Sequence, residues 1–323
     1  MREFYRAHNF ARDTVILVKQ CEGIVRDYMA EGLRLTLRQL YYQLVTKNLI
    51  RNEEKQYKRL STVLSDARLM GLIDWEAIED RVRVPRIPSE FADLKELAEA
   101  ALNSYRLPRW DDQDYYVEVW VEKDALSGVL APLTSEYHVP LMVNRGYSSQ
   151  SAMHDAARRF LTHCHGIFTI QQAFRKMDVS TAMEIRELDV DSLGDPPVKP
   201  LLLYLGDHDP SGEDMVRDIR DRLKMFGIDV EVRKLALTME QVKKYNPPPN
   251  PSKLTDPRSA EYVAKHGAMS WEVDALPPNV LHRLIRNAIE GVLDVEKMDA
   301  IKGREEEDKK RLRKAVEKIV GKK

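Results

Sequence analysis

The chain has 323 residues, 43% apolar and 32% charged, with a net charge of −1. That is enough apolar material for a core and too little net charge for a disordered chain, and the length suits two ordinary domains. No apolar run approaches the roughly 18 residues that cross a bilayer, the N-terminus lacks the layout of a secretion signal, and Cys21 and Cys164 make no disulfide framework. A reducing, cytoplasmic compartment is expected.

The charge is uneven. Residues 1–87 hold 16 Lys/Arg and 12 Asp/Glu, a balance of +4, which leaves −5 for the rest. A mildly basic first part joined to an acidic remainder suits a DNA-binding module beside a metal-binding one.

The first 87 residues read as helices. Val15, Leu17, Val18, Cys21, Ile24, Val25 and Tyr28 recur near helical spacing over about Ala11–Glu31. Thr36-Leu-Arg-Gln39 is a capping-box pattern that opens a second helix, with the stripe Leu37, Leu40, Tyr41, Leu44. Asn52 is placed to cap a third helix, and Gly71 to end it. Leu72–Trp75 and Val82–Ile87 read as short extended pieces. Three helices and a ribbon make a winged helix-turn-helix over residues 1–87. Its third helix would turn Lys55, Lys58, Arg59, Ser61, Ser65 and Arg68 to solvent, where phosphates could be met. A small helical bundle with an ordinary solvated face fits the same pattern.

Residues 88–113, with Pro88, Pro108 and a helix near Leu94–Leu102, read as a linker. From Tyr115 the period changes. Val117, Val119 and Val121 alternate with Glu118, Trp120 and Glu122, which is a strand pattern. A helix follows, then a strand at Val139–Val143, a helix from about Ser149 to His163, and irregular residues 164–198. Strand Pro200–Leu205, helix Gly212–Phe226 and strand Val230–Leu237 come next, and a helical region from about Pro278 to Val320 ends the chain. This alternation predicts an α/β domain over 114–323, built on a parallel sheet with a helical C-terminal extension.

In open α/β sheets reactive groups gather at the carboxyl ends of strands. Glu122 closes the first strand, and Asp207 and Asp209 follow a later one in Gly206-Asp-His-Asp-Pro-Ser-Gly212. Three carboxylates at one sheet edge suit Mg²⁺, a hard ion that prefers oxygen ligands, with Mn²⁺ as a substitute. Ser211 is placed to cap the next helix. The alternative is that Asp207 and Asp209 are loop and cap residues. Asn144-Arg-Gly-Tyr147 follows a strand, so Arg145 could meet phosphate, although an ordinary βα turn explains it equally well. His163-Cys164-His165 is a poor zinc site, because adjacent residues rarely share one metal. No P-loop occurs.

Tyr41 lies on the apolar stripe of the second helix and is expected in the core. Tyr42 lies one step off that stripe, and Arg38, four residues earlier, shares its face. A tyrosine nucleophile needs an accessible oxygen and a nearby cation. Tyr42 with Arg38 meets that requirement; a boundary tyrosine stacked beside an arginine is the alternative.

Together these motifs resemble a known group. Val-Glu-Lys123, Gly146-Tyr147 and Gly206-Asp-His-Asp-Pro-Ser-Gly look like a Toprim domain, and Arg38-Gln-Leu-Tyr-Tyr42 resembles the arginine-x-x-tyrosine-tyrosine motif of the topoisomerase VI A subunit and the meiotic break-forming transesterase. The block Asn52-Glu-Glu-Lys-Gln-Tyr-Lys-Arg-Leu60 looks closer to stand-alone A-like proteins of phages and mobile elements. Ser270-Trp-Glu-Val-Asp-Ala-Leu276 matches a further block of the group. The resemblance implies a winged helix followed by a Toprim domain, from about residue 30 to 290. It also implies a nucleoid-associated enzyme that cuts double-stranded DNA with Mg²⁺ at Glu122, Asp207 and Asp209. Tyr42 would form a 5′-phosphotyrosine link, and Glu122 would alternatively serve as general acid or base. A homodimer in which one chain's tyrosine meets the other's metal site is implied, as is a possible separate ATPase B-type subunit. A hydrolytic Toprim nuclease and a degenerate DNA-binding protein are the rival expectations.

Overall fold

The computed structural model describes residues 2–79, 88–165, 196–252 and 258–320. The chain divides into two compact units: residues 1–83, 117–159 and 201–288 form one, and residues 84–116, 160–200 and 289–323 the other.

The first unit opens with three helices, α1 (Arg12–Ala30), α2 (Leu37–Thr46) and α3 (Glu54–Leu69). The capping box forms as predicted: Thr36 Oγ1 accepts from the Gln39 N–H and Gln39 Oε1 accepts from the Thr36 N–H. Leu17, Cys21, Leu40, Leu44, Leu60 and Ala67 are buried among the three helices. The left-handed Gly71 (φ 69°) follows Met70, the C-cap of α3.

Asn52 does not cap α3. Glu53 stands at the N-cap with no side-chain bond, while Asn52 accepts from the Tyr41 hydroxyl (3.0 Å) and donates to the Pro249 carbonyl (3.1 Å). Leu72–Trp75 is not extended either, because it bends into a 3₁₀ turn, Trp75–Ala77, capped by Asp74. The ribbon piece expected at Val82–Ile87 lies outside the described residues.

The sheet has four parallel strands, β1 (Tyr115–Val121), β2 (Leu141–Val143), β3 (Lys199–Leu205) and β4 (Glu231–Ala236), in the order β2-β1-β3-β4. Helices α5 (Ser127–Glu136), α6 (Gln150–His165) and α7 (Pro210–Met225) connect or follow them. Because β1 is central, its alternation does not mark a wet face: Val117 to Val121 are all buried. Glu118, fully buried, is satisfied by Arg159 (2.8 Å) and by the indole of Trp120 (2.8 Å). Beyond the sheet come α8 (Met239–Tyr245), the short β5–β6 pair (Asn250–Pro251 and Met269–Ser270), α9 (Ser259–His266) and α10 (Pro278–Glu290).

In the second unit, α4 (Leu94–Ser104), capped by Asp93, packs against α11 (Val295–Val320). The helix expected near Leu94–Leu102 within residues 88–113 is α4. Glu305, nearly fully buried, accepts from Arg109 (3.1 Å), Lys309 (2.7 Å) and the Leu107 N–H (3.1 Å). The irregular stretch expected over 164–198 lies mostly outside the described residues. No described helix is long and apolar enough to cross a membrane.

Candidate functional site

Strand β1 delivers Glu122 and Lys123 to the carboxyl edge of the sheet, and β3 delivers Asp207 and Asp209. Glu122 Oε2 accepts from the Asp207 N–H (3.0 Å), so these two acidic residues do meet. Asp207 is buried; its Oδ1 accepts from the Val273 N–H (3.0 Å) and its Oδ2 pairs with Lys123 Nζ (2.6 Å). Burial, then the Glu122 charge, pushes Asp207 up to about 7, against the pull of Lys123.

Asp209 is the N-cap of α7, accepting from the Gly212 N–H (2.6 Å). The expected cap, Ser211, is not used, because Pro210 already occupies the first helical position. A cap bond leaves a carboxylate further lone pairs for a cation.

The Tyr204 hydroxyl lies fully buried with no hydrogen-bond partner, and its phenol is pushed up by burial and then by Glu122, Asp207 and Asp209 around it. Both polar atoms of the Asn144 side chain, just after β2, are also buried without partners. The ligand oxygens of Glu122, Asp207 and Asp209 do not gather within 4.8 Å of one another and Lys123 already pairs with Asp207, so an oxygen-liganded Mg²⁺ would need these side chains to rearrange.

On α2, Tyr42 and Tyr41 are equally buried, each 5% exposed. The expectation of an exposed second tyrosine is corrected: residues Gln39 to Val45 are all buried, because the turn Val273–Ala275 packs against this helix. Arg38 is the hub beside it. Its Nε stands 3.0 Å from Asp274 Oδ2, its guanidinium binds Glu272, and an N–H reaches the Tyr42 hydroxyl at 3.4 Å. Glu272 also acts on Tyr42 through its charge and lies 4.0 Å from Lys123. A chain of alternating charges therefore runs from Asp274 through Arg38, Glu272 and Lys123 to Asp207. Burial, then Asp274 and Glu272, pushes the Tyr42 hydroxyl well above the ordinary phenol range, with Arg38 opposing.

Tyr42, Arg38, Lys123, Asp207, Asp209 and Glu272 line one cavity of about 410 Å³, together with Tyr41, Tyr57 and Trp271. Glu122 is not among its lining residues. A second cavity, about 650 Å³, is lined by Thr36, Arg38, Ser61, Ser65, Arg68 and Asp124 among others.

Of the expected phosphate-facing cations, Lys55, Lys58 and Arg59 are exposed on α3, Lys58 in an i,i+4 pair with Glu54 (2.6 Å). Arg68 is not turned to solvent: it donates to the Trp75 carbonyl (2.7 Å) and stacks over that ring (4.4 Å). Arg145 is exposed but bridged to Asp124 (2.9 Å).

Sequence reasoning missed Lys123, Glu272 and Asp274. The signal was present in the acidic alternation of Glu272 and Asp274 within Ser270–Leu276, but only the fold brings that block onto α2. His163 stacks on Tyr116. Compared with protein-family models and with curated proteins, the chain matches none.

Proposed function

We propose that this protein is a Mg²⁺-dependent, DNA-cleaving transesterase of the topoisomerase VI A kind. In this reading the α1–α3 segment is the winged-helix module and the parallel sheet the Toprim module. The observation that carries it is the single cavity shared by Tyr42, Arg38, Asp207 and Asp209. A tyrosine, a guanidinium and paired carboxylates at a strand end are the groups phosphoryl transfer to a side chain requires. Glu122, Asp207 and Asp209 would hold the metal, which would neutralise charge on the transferring phosphate.

The chain's own residues do the rest. Tyr42 Oη attacks the backbone phosphorus, forming the 5′-phosphotyrosine bond and releasing the 3′ oxygen. Glu272, held by Arg38 and lining the same cavity as Tyr42, is the carboxylate placed to take the phenol proton. Arg38 turns a guanidinium toward the same oxygen, and Lys55, Lys58 and Arg59 on α3 give backbone contacts. Tyr42 and the Asp207/Asp209 pair line one cavity within a single chain, so a homodimer would present two such sites, one per strand of the duplex.

A second reading rests on the Tyr42 environment. A buried phenol between Glu272 and Asp274 resists ionisation, which favours a hydrolytic Toprim nuclease in which Tyr42 only positions the strand. Incubation with supercoiled plasmid and Mg²⁺ or Mn²⁺, then denaturation with and without protease, separates the two. DNA that enters the gel only after protease supports the transesterase; cut DNA that runs freely without protease supports hydrolysis.

A further inference from the structure

A second group of ligating side chains lies on the far side of the Asp207–Asp209 loop. His208, between the two aspartates, is 2% exposed and turns its ring toward α9. Its Nδ1 sits 2.7 Å from the Tyr262 hydroxyl. That hydroxyl also lies 2.9 Å from the His208 carbonyl and 3.1 Å from the Met269 carbonyl. A phenol has one proton. Carbonyls only accept, so giving that proton to one of them lets the hydroxyl accept from His208 Nδ1–H. In that tautomer Nε2 keeps its lone pair.

That lone pair faces a carboxylate. Nε2 lies 3.8 Å from Glu213 Oε1, and the His266 ring lies across the His208 ring at 4.8 Å between centroids. The ligand atoms of His208, Glu213 and His266 all fall within 4.8 Å of one another. Two ligands on one tetrahedral zinc stand about 3.4 Å apart, given bonds of about 2.0–2.1 Å, so closing the group needs only side-chain adjustment. Lys234 Nζ holds Glu213 Oε1 at 2.6 Å and is the cation that a metal must displace or share with.

We propose that His208, Glu213 and His266 form a transition-metal site, of two imidazoles and one carboxylate, that takes Zn²⁺. The site is distinct in chemistry from the all-oxygen edge at Glu122, Asp207 and Asp209: nitrogen ligands select zinc where carboxylates select magnesium. Tyr262 is its outer-sphere partner, orienting the His208 ring as such groups do. A bound ion ties the first turn of α7 to the last turn of α9 and pins the loop that carries both aspartates. The proposal does not depend on DNA cleavage.

The test is zinc titration of the metal-stripped full-length protein in millimolar Mg²⁺, followed by calorimetry, with Co²⁺ as a spectroscopic probe. One Zn²⁺ per chain is expected, with a visible Co²⁺ band of low coordination number. His266→Ala, at a half-buried position, and Glu213→Gln, at an exposed one, should each weaken zinc at least tenfold and abolish the band. Tyr262→Phe should weaken zinc about 10–100-fold. Absence of stoichiometric zinc binding, or zinc binding unchanged in both His266→Ala and Glu213→Gln, overturns the proposal.

Discussion

Arg38→Ala is the sharpest probe of how the α2 face is held. The Asp274 side chain is 1% exposed and the Arg38 guanidinium is its ion-pair partner at 3.0 Å. Removing one member of a buried pair costs about 3–5 kcal/mol, because the other charge is stranded. Arg38 is itself 42% exposed and water screens part of the pair, so about 2–3 kcal/mol is the reasoned loss. The pH dependence has a definite sign. Burial, against the pull of Arg38, already pushes Asp274 up to about 6, above the roughly 3.9 of an unfolded chain. Without Arg38 it rises further, so the folded variant binds the extra proton over a wider range. A raised carboxylate loses stability as pH climbs from the unfolded to the folded value. The variant's deficit should therefore be small at pH 5 and full at pH 8. Urea unfolding of both proteins at the two pH values measures it, and Arg38→Ala with Asp274→Asn should recover much of the loss. Equal stability of Arg38→Ala and the parent at pH 8 would refute the reasoning.

Three other outcomes follow from the site. Asp209→Asn keeps a good helix cap and removes the charge, so plasmid cleavage should vanish while the melting temperature holds; Asp209→Ala should lose cleavage and about 1 kcal/mol as well. Lys58→Ala and Arg59→Ala should each weaken DNA binding alike for all sequences and flatten the slope of log affinity on log salt by about one unit, measured by fluorescence anisotropy. Gly212→Ala would push a methyl group into the Asp207 backbone, whose carbonyl carbon would lie 2.9 Å away; cleavage should fall steeply and unfolding cost about 1–3 kcal/mol less.

Much of this architecture is legible in the sequence, because helix caps and strand periods are local. Thr36 and Gln39 announce α2, and Leu201–Leu205 announces β3. The convergence of Glu122 with Asp207 follows from a topological rule about strand ends. What escapes is decided by distant packing. The alternation of β1 announces a strand, but only its central position in the sheet buries both faces and recruits Arg159 to Glu118. Tyr42 reads as exposed on α2 alone; residues more than 200 positions away cover it. Arg68 reads as a free cation until Trp75, seven residues on, folds beneath it. Arg38, Lys123 and the Glu272–Asp274 pair belong to three segments far apart in sequence, so their charge chain exists only in three dimensions.

The central claim is that Tyr42 is the nucleophile. Duplex DNA labelled at its 5′ ends and internally, incubated with protein and Mg²⁺ and resolved under denaturing conditions, tests it directly. The parent should carry internal label covalently, at a 5′ phosphate, and Tyr41→Phe should retain at least partial adduct. Tyr42→Phe loses one oxygen and keeps the ring, so it should stay folded and bind DNA while giving no adduct and no cut. Cleavage by Tyr42→Phe at the parental rate, with free DNA ends, would contradict the account and leave the hydrolytic nuclease in its place.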